Sequence, residues 1–347
     1  MTTRSPAVGI LANPRAGSDV RRLAARAGSS TLEGKRSQVT RAAVGACAAG
    51  VRRIVIVREP LRVAVGALES LAIDIDVEVV DIGARLDAKD TERAAEAMRA
   101  AGCGALVVLG GDGTNRALAR AWPEACVVPV STGTNNVFPR MLEPTIAGAA
   151  AGLIASGRLP TEDLARPVKQ VRVALPDGSQ DLALVDVGLL ADDAVGNLMP
   201  VEPAKIRSVV LARAEPASVG LSPIGGLLEP AGEKDDFGVL VACTAHADGG
   251  RPLLVPVSPG LYRTVHVASA RRVALGEEIV LRGPGVLAFD GDRDHALRAG
   301  EHAVARVVRG GPRVIDVERT LAAAAASGLY LDRGPFRDGH GLLPDCC

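Results

Sequence analysis

The most informative segment of the chain is LVVLGGDGTN, residues 106–115. Four apolar residues typical of a buried strand run directly into three glycines, an acid and a hydroxyl, and the residues that follow favour a helix. Glycines let a backbone approach a ligand closely and adopt positive φ, and the free amides at a helix N-terminus bind anions. The pattern therefore predicts a phosphate-binding loop formed by Gly110, Gly111, Gly113 and Thr114.

Asp112 is the unexpected residue of this loop, because its negative charge would repel a bound phosphate. An acid in such a position can take a proton from an attacking hydroxyl or hold Mg²⁺. We therefore predict that Asp112 is catalytic. The alternative interpretation is a tight turn in which the carboxylate only accepts hydrogen bonds from backbone amides.

Outside this loop, the first 145 residues alternate between short apolar runs and helical segments. The predicted strands are residues 7–12, 53–57, 77–82, 105–109 and 127–130. The predicted helices are residues 37–49, 61–71, 87–101 and 115–122. Nearly continuous apolar strands separated by helices predict an α/β domain, a doubly wound parallel sheet covered on both faces. Ligands bind beyond the carboxyl ends of the strands in such sheets.

After residue 167 the pattern changes to strand-like runs separated by Gly, Pro and Asp, which predicts an all-β second domain. The predicted strands are residues 171–175, 182–187, 209–213, 237–244, 264–268, 286–289 and 303–308. Residues 215–236 are rich in Pro, Gly and Ser and are predicted to form a long loop. The alanines of residues 318–327 favour a helix. A partly disordered tail is expected after residue 331.

Composition excludes several classes of partner. The 40 basic and 40 acidic side chains cancel, and one Trp, two Tyr and four Phe offer few stacking surfaces, so nucleic acid is not an expected partner. The longest apolar stretch, residues 146–155, is far shorter than the ~20 residues that span a bilayer. With no signal peptide recognisable at the N-terminus, we expect a cytoplasmic protein with no membrane association. Its scattered cysteines are expected to be free, buried thiols.

Two further polar turns follow predicted strands and could open on the same crevice as the glycine loop. The turn after residue 130 offers hydroxyls and amides for ribose or phosphate oxygens: Thr132, Gly133, Thr134, Asn135 and Asn136. The turn after the first strand contains Asn13, Arg15 and Gly17, of which the arginine could meet a phosphate. Ordinary strand-to-helix turns would explain either segment as well.

An Asn-Pro turn, a GGDGT loop and a Gly-Thr-Asn loop, in this order, resemble the NAD kinase and diacylglycerol kinase superfamily. Within it the chain is most similar to the acetoin catabolism X group, from residue 8 to about residue 330. The stretch AFDGDR, residues 288–293, resembles the acidic turn that the family brings back to its cleft, with Asp290, Gly291 and Asp292 near the acceptor. Its acid spacing also mimics a calcium loop, which His295 excludes by standing where glycine is needed.

The resemblance implies both a fold and a mechanism. The fold would be an α/β nucleotide-binding domain (residues 1–165), a mainly antiparallel, β-sandwich-like acceptor domain (166–317), a C-terminal helix returning to the first domain (318–335) and a tail (336–347). The mechanism would be transfer of the γ-phosphoryl group of ATP, with Mg²⁺, to a small-molecule hydroxyl activated by Asp112. A homo-oligomer is also implied.

Departures from the family pattern leave the acceptor open. The Gly-Ser-Thr-Ala-Tyr-Ser-like segment with which NAD kinases contact the dinucleotide has no match, and Asn135-Asn136 only partly replaces the usual Asn-Glu pair. Three hypotheses follow: a kinase acting on NAD or a related soluble acceptor, a lipid kinase of the diacylglycerol type, or a non-catalytic nucleotide-binding regulator linked to acetoin catabolism.

Overall fold

The computed structural model describes residues 5–16, 30–69, 71, 73, 75–133, 135–245 and 249–331. Strands and helices alternate through the first part of the chain. Its elements are β1 (Ala7–Ala12), α1 (Leu32–Ala48), β2 (Arg53–Arg58), α2 (Val63–Leu68), β3 (Asp76–Asp81), α3 (Lys89–Ala100), β4 (Cys103–Gly110), α4 (Asp112–Ala121), β5 (Cys126–Ser131), α5 (Pro144–Ala155) and α6 (Thr161–Leu164). Every strand and helix predicted for residues 1–145 is present, with ends displaced by a few residues.

Strands dominate the second part of the chain. Its elements are β6 (Ala165–Ala174), β7 (Gln180–Ala183), β8 (Asp186–Leu190), β9 (Ile206–Leu211), α7 (Ser222–Gly226), β10 (Phe237–Cys243), β11 (Arg251–Ser258), β12 (Leu261–Ala274), β13 (Ile279–Arg282), β14 (Gly285–Phe289), β15 (Asp292–Leu297), β16 (His302–Ile315) and α8 (Val317–Ala326). The segment predicted as a loop at 215–236 contains the short helix α7. The tail predicted at 336–347 lies outside the described residues.

Two sheets organise these strands. The first, which we call the mixed sheet, has the order β3-β2-β1-β4-β5-β16-β6-β7, with β13 paired to β16. Strands β1 to β5 run parallel, β16 joins β5 in parallel, and β6, β7 and β13 add antiparallel pairs. The second, the antiparallel sheet, has the order β11-β12-β10-β9-β8-β14-β15. This architecture confirms the predicted fold class.

The two halves of the chain share the mixed sheet. Strands β6, β7, β13 and β16 follow residue 164, yet they hydrogen-bond into the sheet that β1 to β5 begin. Helix α8 packs on α5 in the core beneath that sheet, where Val317 and Ala324 are buried beside Ala147 and Ala151. The division of the chain at residues 165 and 317 therefore stays a prediction.

Helix α5 is absent from the sequence prediction. Its sequence, PTIAGAAAGLIA, is almost wholly apolar, so it lacks the alternation of apolar and polar faces by which a helix is recognised. Glu143 begins the helix by accepting hydrogen bonds from the amides of Thr145 and Ile146. No described helix of the chain has the length and apolarity needed to cross a membrane.

Close packing of α5 on α1 depends on small residues. A Cβ added at Gly148 would lie 2.0 Å from the carbonyl oxygen of Ala42. We expect Gly148→Ala to lower the free energy of unfolding, measured by urea denaturation, by about 1–3 kcal/mol, because the helices must move apart. In the control Gly232→Ala the new Cβ would meet nothing nearer than 3.7 Å. Equal effects of the two substitutions would contradict the close helix contact.

Candidate functional site

A cleft of about 400 Å³ opens where the mixed sheet meets the antiparallel sheet. On the mixed sheet it lies at the carboxyl ends of β1, β4 and β5. The chain passes from β1 outward to β2 and β3 and then returns to β4 on the other side of β1. This is a topological switch point, where open α/β sheets bind ligands.

Most of the residues predicted for the site line this cleft. They are Asn13, Arg15, Gly111, Asp112, Gly113, Thr114, Thr132, Gly133, Asn135, Asn136, Asp290, Gly291 and Asp292. Gly110 ends β4 just behind the loop. Gly17 and Thr134 lie outside the described residues. The structure thus brings three separate loops and the acidic turn to one place, and the role of each residue stays a prediction.

The glycines of the loop do not adopt the positive φ that the sequence analysis associated with them. None of Gly110, Gly111 and Gly113 adopts a positive φ, and Gly111 has φ −102°. They are instead needed for close approach: a Cβ at Gly111 would lie 2.7 Å from the side-chain oxygen of Asn136, and one at Gly113 would lie 3.1 Å from a carboxylate oxygen of Asp292. A Cβ at either position would displace the end of the neighbouring side chain, Asn136 or Asp292.

The N-terminus of α4 faces the cleft without a side-chain cap. Its N-cap is Gly111, which has no side chain to cap the helix. The first amides of the helix therefore keep their capacity to bind an anion. The Asn13 amide donates to the Thr114 hydroxyl at 2.9 Å, which ties the turn after β1 to this helix. Arg15 lines the cleft while its guanidinium donates to the carbonyl of Leu86 at 3.1 Å.

Asp112 is the first residue of α4, and backbone amides of the next loop hold its carboxylate. Oδ1 accepts from Phe138 at 2.8 Å, and Val137 donates to both oxygens at 3.1 Å. Burial, and then the negative charge of Asp290, raise the pKa of Asp112 to about 7, against the lowering effect of those two amides. A carboxylate with a pKa near neutrality is suited to accept a proton from a hydroxyl.

Asp290 organises the junction of the two sheets. Its carboxylate accepts hydrogen bonds from the amides of Leu184, Val185 and Asp186 at 2.8–3.1 Å. The sequence prediction of a single strand at 182–187 is therefore wrong. Strand β7 ends at Ala183 in the mixed sheet and β8 begins at Asp186 in the antiparallel sheet, because the carboxylate takes the amides between them. Burial raises the pKa of Asp290 as well.

Asp186 is a residue of this site that the sequence analysis missed. It lines the cleft and is 5% exposed, and no described residue hydrogen-bonds to its Oδ1. Burial, and then the charges of Asp290 and Asp112, raise the pKa of Asp186 well above its usual value. Its only signal in the sequence is an acid within an apolar run, ALVDVGLL, where a strand would otherwise carry none.

Asn136 stands where the Asn-Glu pair of the family would place an acid, and it has a different role in this structure. The Asn136 amide nitrogen donates to the Ser131 hydroxyl at 2.7 Å and to the Gly133 carbonyl at 3.4 Å, so it braces the turn after β5. In the same turn the Thr132 hydroxyl is buried without a hydrogen-bond partner among the described residues. Two buried polar atoms facing the cleft, on Thr132 and Asp186, are what a polar ligand would satisfy.

The cleft contains more acidic than basic side chains. Its acids are Asp87, Asp112, Asp186, Asp290, Asp292 and Asp294, and its cations are Arg15, Arg116, Arg120 and Arg293. Among the described residues, no three His, Cys, Asp or Glu side chains converge as a metal site. Mg²⁺ bound to phosphates usually takes only one or two protein carboxylates. Asp292, whose carboxylate lies beside Gly113, is a cleft carboxylate that could act in this way.

Arg116 links α4 to the acidic turn, residues 288–293, through ion pairs and hydrogen bonds. It is 2% exposed, and its guanidinium pairs with Asp181 at 2.8 Å and with Asp294 at 2.5 Å. The same group donates to the carbonyls of Leu182 and Phe289 at 2.6 and 3.3 Å. Since Phe289 precedes Asp290, this buried cation fixes the distance between Asp112, at the start of its own helix, and the turn.

The three clustered carboxylates should make folding stability depend on pH. A buried acid whose folded pKa is raised gives its full stability below the unfolded pKa of about 4, and stability is lost as pH rises to the folded pKa. We expect Asp186→Asn, which mimics the protonated acid, to raise the melting temperature more at pH 8 than at pH 5. A larger gain at pH 5 would contradict the raised pKa.

Two family models and one curated relative match the sequence of the chain. Residues 8–159 match the family model of the ATP-NAD kinase N-terminal domain, and residues 169–310 match that of the acetoin catabolism protein X C-terminal domain. The chain is 35% identical over 339 residues to acetoin catabolism protein X of Cupriavidus necator, covering 94% of both chains.

One solved structure shows the same fold. Yeast NADH kinase, solved in complex with NADH, superposes with a TM-score of 0.53 at 11% identity, covering 99% of this chain and 91% of that one. A diacylglycerol kinase from Bacillus anthracis strain Sterne gives a TM-score of 0.41 at 15% identity, covering 90% of this chain and 98% of that one. The fold is thus of the NAD kinase type, and the chain belongs to the acetoin catabolism protein X family.

Proposed function

We propose that the chain is a kinase that transfers the γ-phosphoryl group of a nucleoside triphosphate to a hydroxyl of a soluble small molecule. The observation that carries this proposal is the Asp112 carboxyl, with its pKa near 7, at the uncapped N-terminus of α4 in the switch-point cleft. Phosphoryl transfer to a hydroxyl needs an anion-binding group and a general base close together, and this turn of helix offers both.

The donor is expected to bind along the mixed-sheet side of the cleft. The amides at the start of α4 would hold the phosphates of the donor. The buried hydroxyl of Thr132 would hydrogen-bond to a phosphate or ribose oxygen of the donor. Arg15, at the mouth, adds a positive charge. When bound with the donor, Mg²⁺ would neutralise charge on the phosphate oxygens beside Asp292.

The chemical step then uses Asp112 as the base. The acceptor hydroxyl gives its proton to the Asp112 carboxylate while its oxygen bonds to the γ-phosphorus. The bond from that phosphorus to the β,γ-bridging oxygen breaks, and the nucleoside diphosphate leaves with the electron pair. Val137 and Phe138 keep the carboxylate oriented through their amides, and in-line positioning supplies most of the acceleration.

The acceptor would enter from the antiparallel-sheet side, where the wall of the cleft is less polar. That wall includes Met199, Val201, Val219, Leu221 and Val257. Because the dinucleotide-contacting segment of NAD kinases has no match in the sequence, the proposed acceptors include soluble molecules smaller than NAD as well as NAD itself. The name of the Cupriavidus relative adds acetoin and its metabolites to the molecules worth testing.

The test is a turnover assay with ATP and Mg²⁺ against a panel of acceptors. The panel contains NAD, NADH, acetoin, glycerol and a dispersed diacylglycerol, and the control is the Asp112→Asn variant. We expect at least one soluble acceptor to be phosphorylated well above that control. Phosphorylation of the lipid alone would favour a lipid kinase, and no phosphorylation of any acceptor would refute the kinase.

A second candidate function is nucleotide binding without catalysis. It is favoured by the hydrogen bonds from Val137 to both oxygens of Asp112, since these also explain the carboxylate as a structural link between α4 and the loop after β5. Under this hypothesis ATP raises the melting temperature by mass action, while Asp112→Asn destabilises the protein and no acceptor supports turnover. One productive acceptor would eliminate it.

A further inference from the structure

A second cavity, of about 540 Å³, lies at the far end of α4 from the glycine loop. We call it the rear groove. It is enclosed by α3, by the end of α4 and by the outer face of β6 and β7, and it is lined by Glu92, Glu96, Arg120, Gln170, Arg172 and Asp181. Arg120 lines both this groove and the cleft.

Gln170 is the feature that marks the groove as a binding site. It is 1% exposed, and neither its Oε1 nor its Nε2 has a hydrogen-bond partner among the described residues. A buried polar group without a partner destabilises the folded protein, so native proteins rarely leave both ends of a carboxamide unsatisfied. A ligand that accepts from the nitrogen and donates to the oxygen would remove this cost.

A bulge in β16 keeps the space around Gln170 open. Arg309 pairs with Lys169 and Arg313 pairs with Pro167, so residues 310–312 face a single residue of β6. Two of the bulged residues are glycines. A Cβ at Gly310 would lie 3.2 Å from the Arg172 guanidinium, and one at Gly311 would lie 3.4 Å from the Gln170 Oε1.

The charges of the groove indicate which ligand fits. Glu92 and Asp181 both pair with Arg120. Arg172 and Glu96, both exposed, form no ion pair within the described part of the chain. The groove thus presents one available cation, one available anion and one available carboxamide. Acids outnumber arginines there, which disfavours a polyphosphate, and Gln170 disfavours an apolar ligand.

We propose that the rear groove binds a small zwitterion of the α-amino acid class. Its carboxylate would lie on Arg172 and accept from the Gln170 nitrogen, while its ammonium group would face Glu96 and donate to the Gln170 oxygen. This binding does not depend on the kinase function, because no residue of the proposed chemical step lines the groove. The groove is nevertheless connected to α4 through Arg120, which lines it and shares Asp181 with the buried Arg116.

The test uses isothermal titration calorimetry and thermal unfolding of the full chain with individual proteinogenic amino acids at millimolar concentrations. Acetate and ethylamine serve as probes that carry only one of the two charges. We expect at least one amino acid to bind saturably and raise the melting temperature, with acetate and ethylamine giving neither effect. If no amino acid binds, or if acetate binds as well as the amino acids do, the proposal fails.

Two variants locate the binding. Gln170→Leu should abolish it and raise the melting temperature of the ligand-free protein, because the unsatisfied carboxamide is removed. Arg172→Ala should weaken it about tenfold or more, the loss typical of a hydrogen bond to a charged group. The matched control is Arg306→Ala, since Arg306 lies opposite Arg172 on β16 but pairs with Glu278. Binding that survives Gln170→Leu would refute the site.

Discussion

Asp112→Asn is expected to lower kcat/KM for phosphoryl transfer by about 10²–10⁴-fold, the contribution of a positioned general base. The asparagine side-chain oxygen can still accept the hydrogen bonds of Val137 and Phe138 that the carboxylate Oδ1 accepts in the wild type. The geometry of the loop is therefore retained, and only the capacity to take a proton is lost. Steady-state kinetics on whichever acceptor the panel identifies would measure the loss.

The pH profile gives the same prediction a second measurement. Because burial and Asp290 raise the pKa of Asp112 to about 7, the basic form exists above pH 7 and is lost as pH falls. We expect kcat/KM of the wild type to fall about tenfold per pH unit below pH 7. The residual kcat/KM of Asp112→Asn should not show this fall below pH 7.

Stability separates a catalytic defect from a folding defect. A buried carboxylate with a raised pKa lowers the free energy of unfolding at high pH, so Asp112→Asn should be at least as stable as the wild type at pH 8. Asp163→Asn, a substitution at an exposed position in α6, is the matched control and should leave both activity and stability unchanged. If Asp112→Asn retained wild-type kcat/KM while folded, its role as the base would be disproved.

Arg116→Met is expected to have the largest effect on stability, a loss of about 3–5 kcal/mol in the free energy of unfolding. Removing one partner of a buried ion pair is strongly destabilising. Here Asp181, whose side chain is 6% exposed, and Asp294 each lose an ion-pair partner, and the carbonyls of Leu182 and Phe289 lose a donor. Methionine keeps the aliphatic contact with Phe289, over whose ring the guanidinium lies at 4.6 Å.

Arg120→Met provides the matched comparison on the same helix. Arg120 also pairs with Asp181, but a third of its side chain is exposed. In its absence Arg116 still pairs with Asp181, and His295 still hydrogen-bonds to it. We expect a loss of about 1 kcal/mol or less, as for a largely solvated pair. Urea denaturation of both variants at pH 7 measures the difference, and equal losses would show that burial does not set the strength of this network.

The sequence alone was sufficient for the α/β pattern and for the convergence of the loops. Strand β4 and the glycine loop are contiguous, and β1 and β5 each end in a polar turn, so the rule for carboxyl ends of parallel strands placed Asn13, Asp112 and Thr132 in one cleft. The sequence-based prediction failed for α5, whose apolar residues carry no periodic signal. It also failed at residues 182–187, where a carboxylate distant in sequence interrupts a run that looks like one strand.

Sequence by itself determined which residues could carry the chemistry, because glycine, acid and hydroxyl spacing along one loop is a local property. Only the tertiary structure decided what those residues are able to do. It brought Asp186 and Asp290 against Asp112, and it opened the rear groove around Gln170. The physical reason is that a pKa, like the cost of an unpaired amide, depends on burial and on charges contributed by segments far apart in the chain.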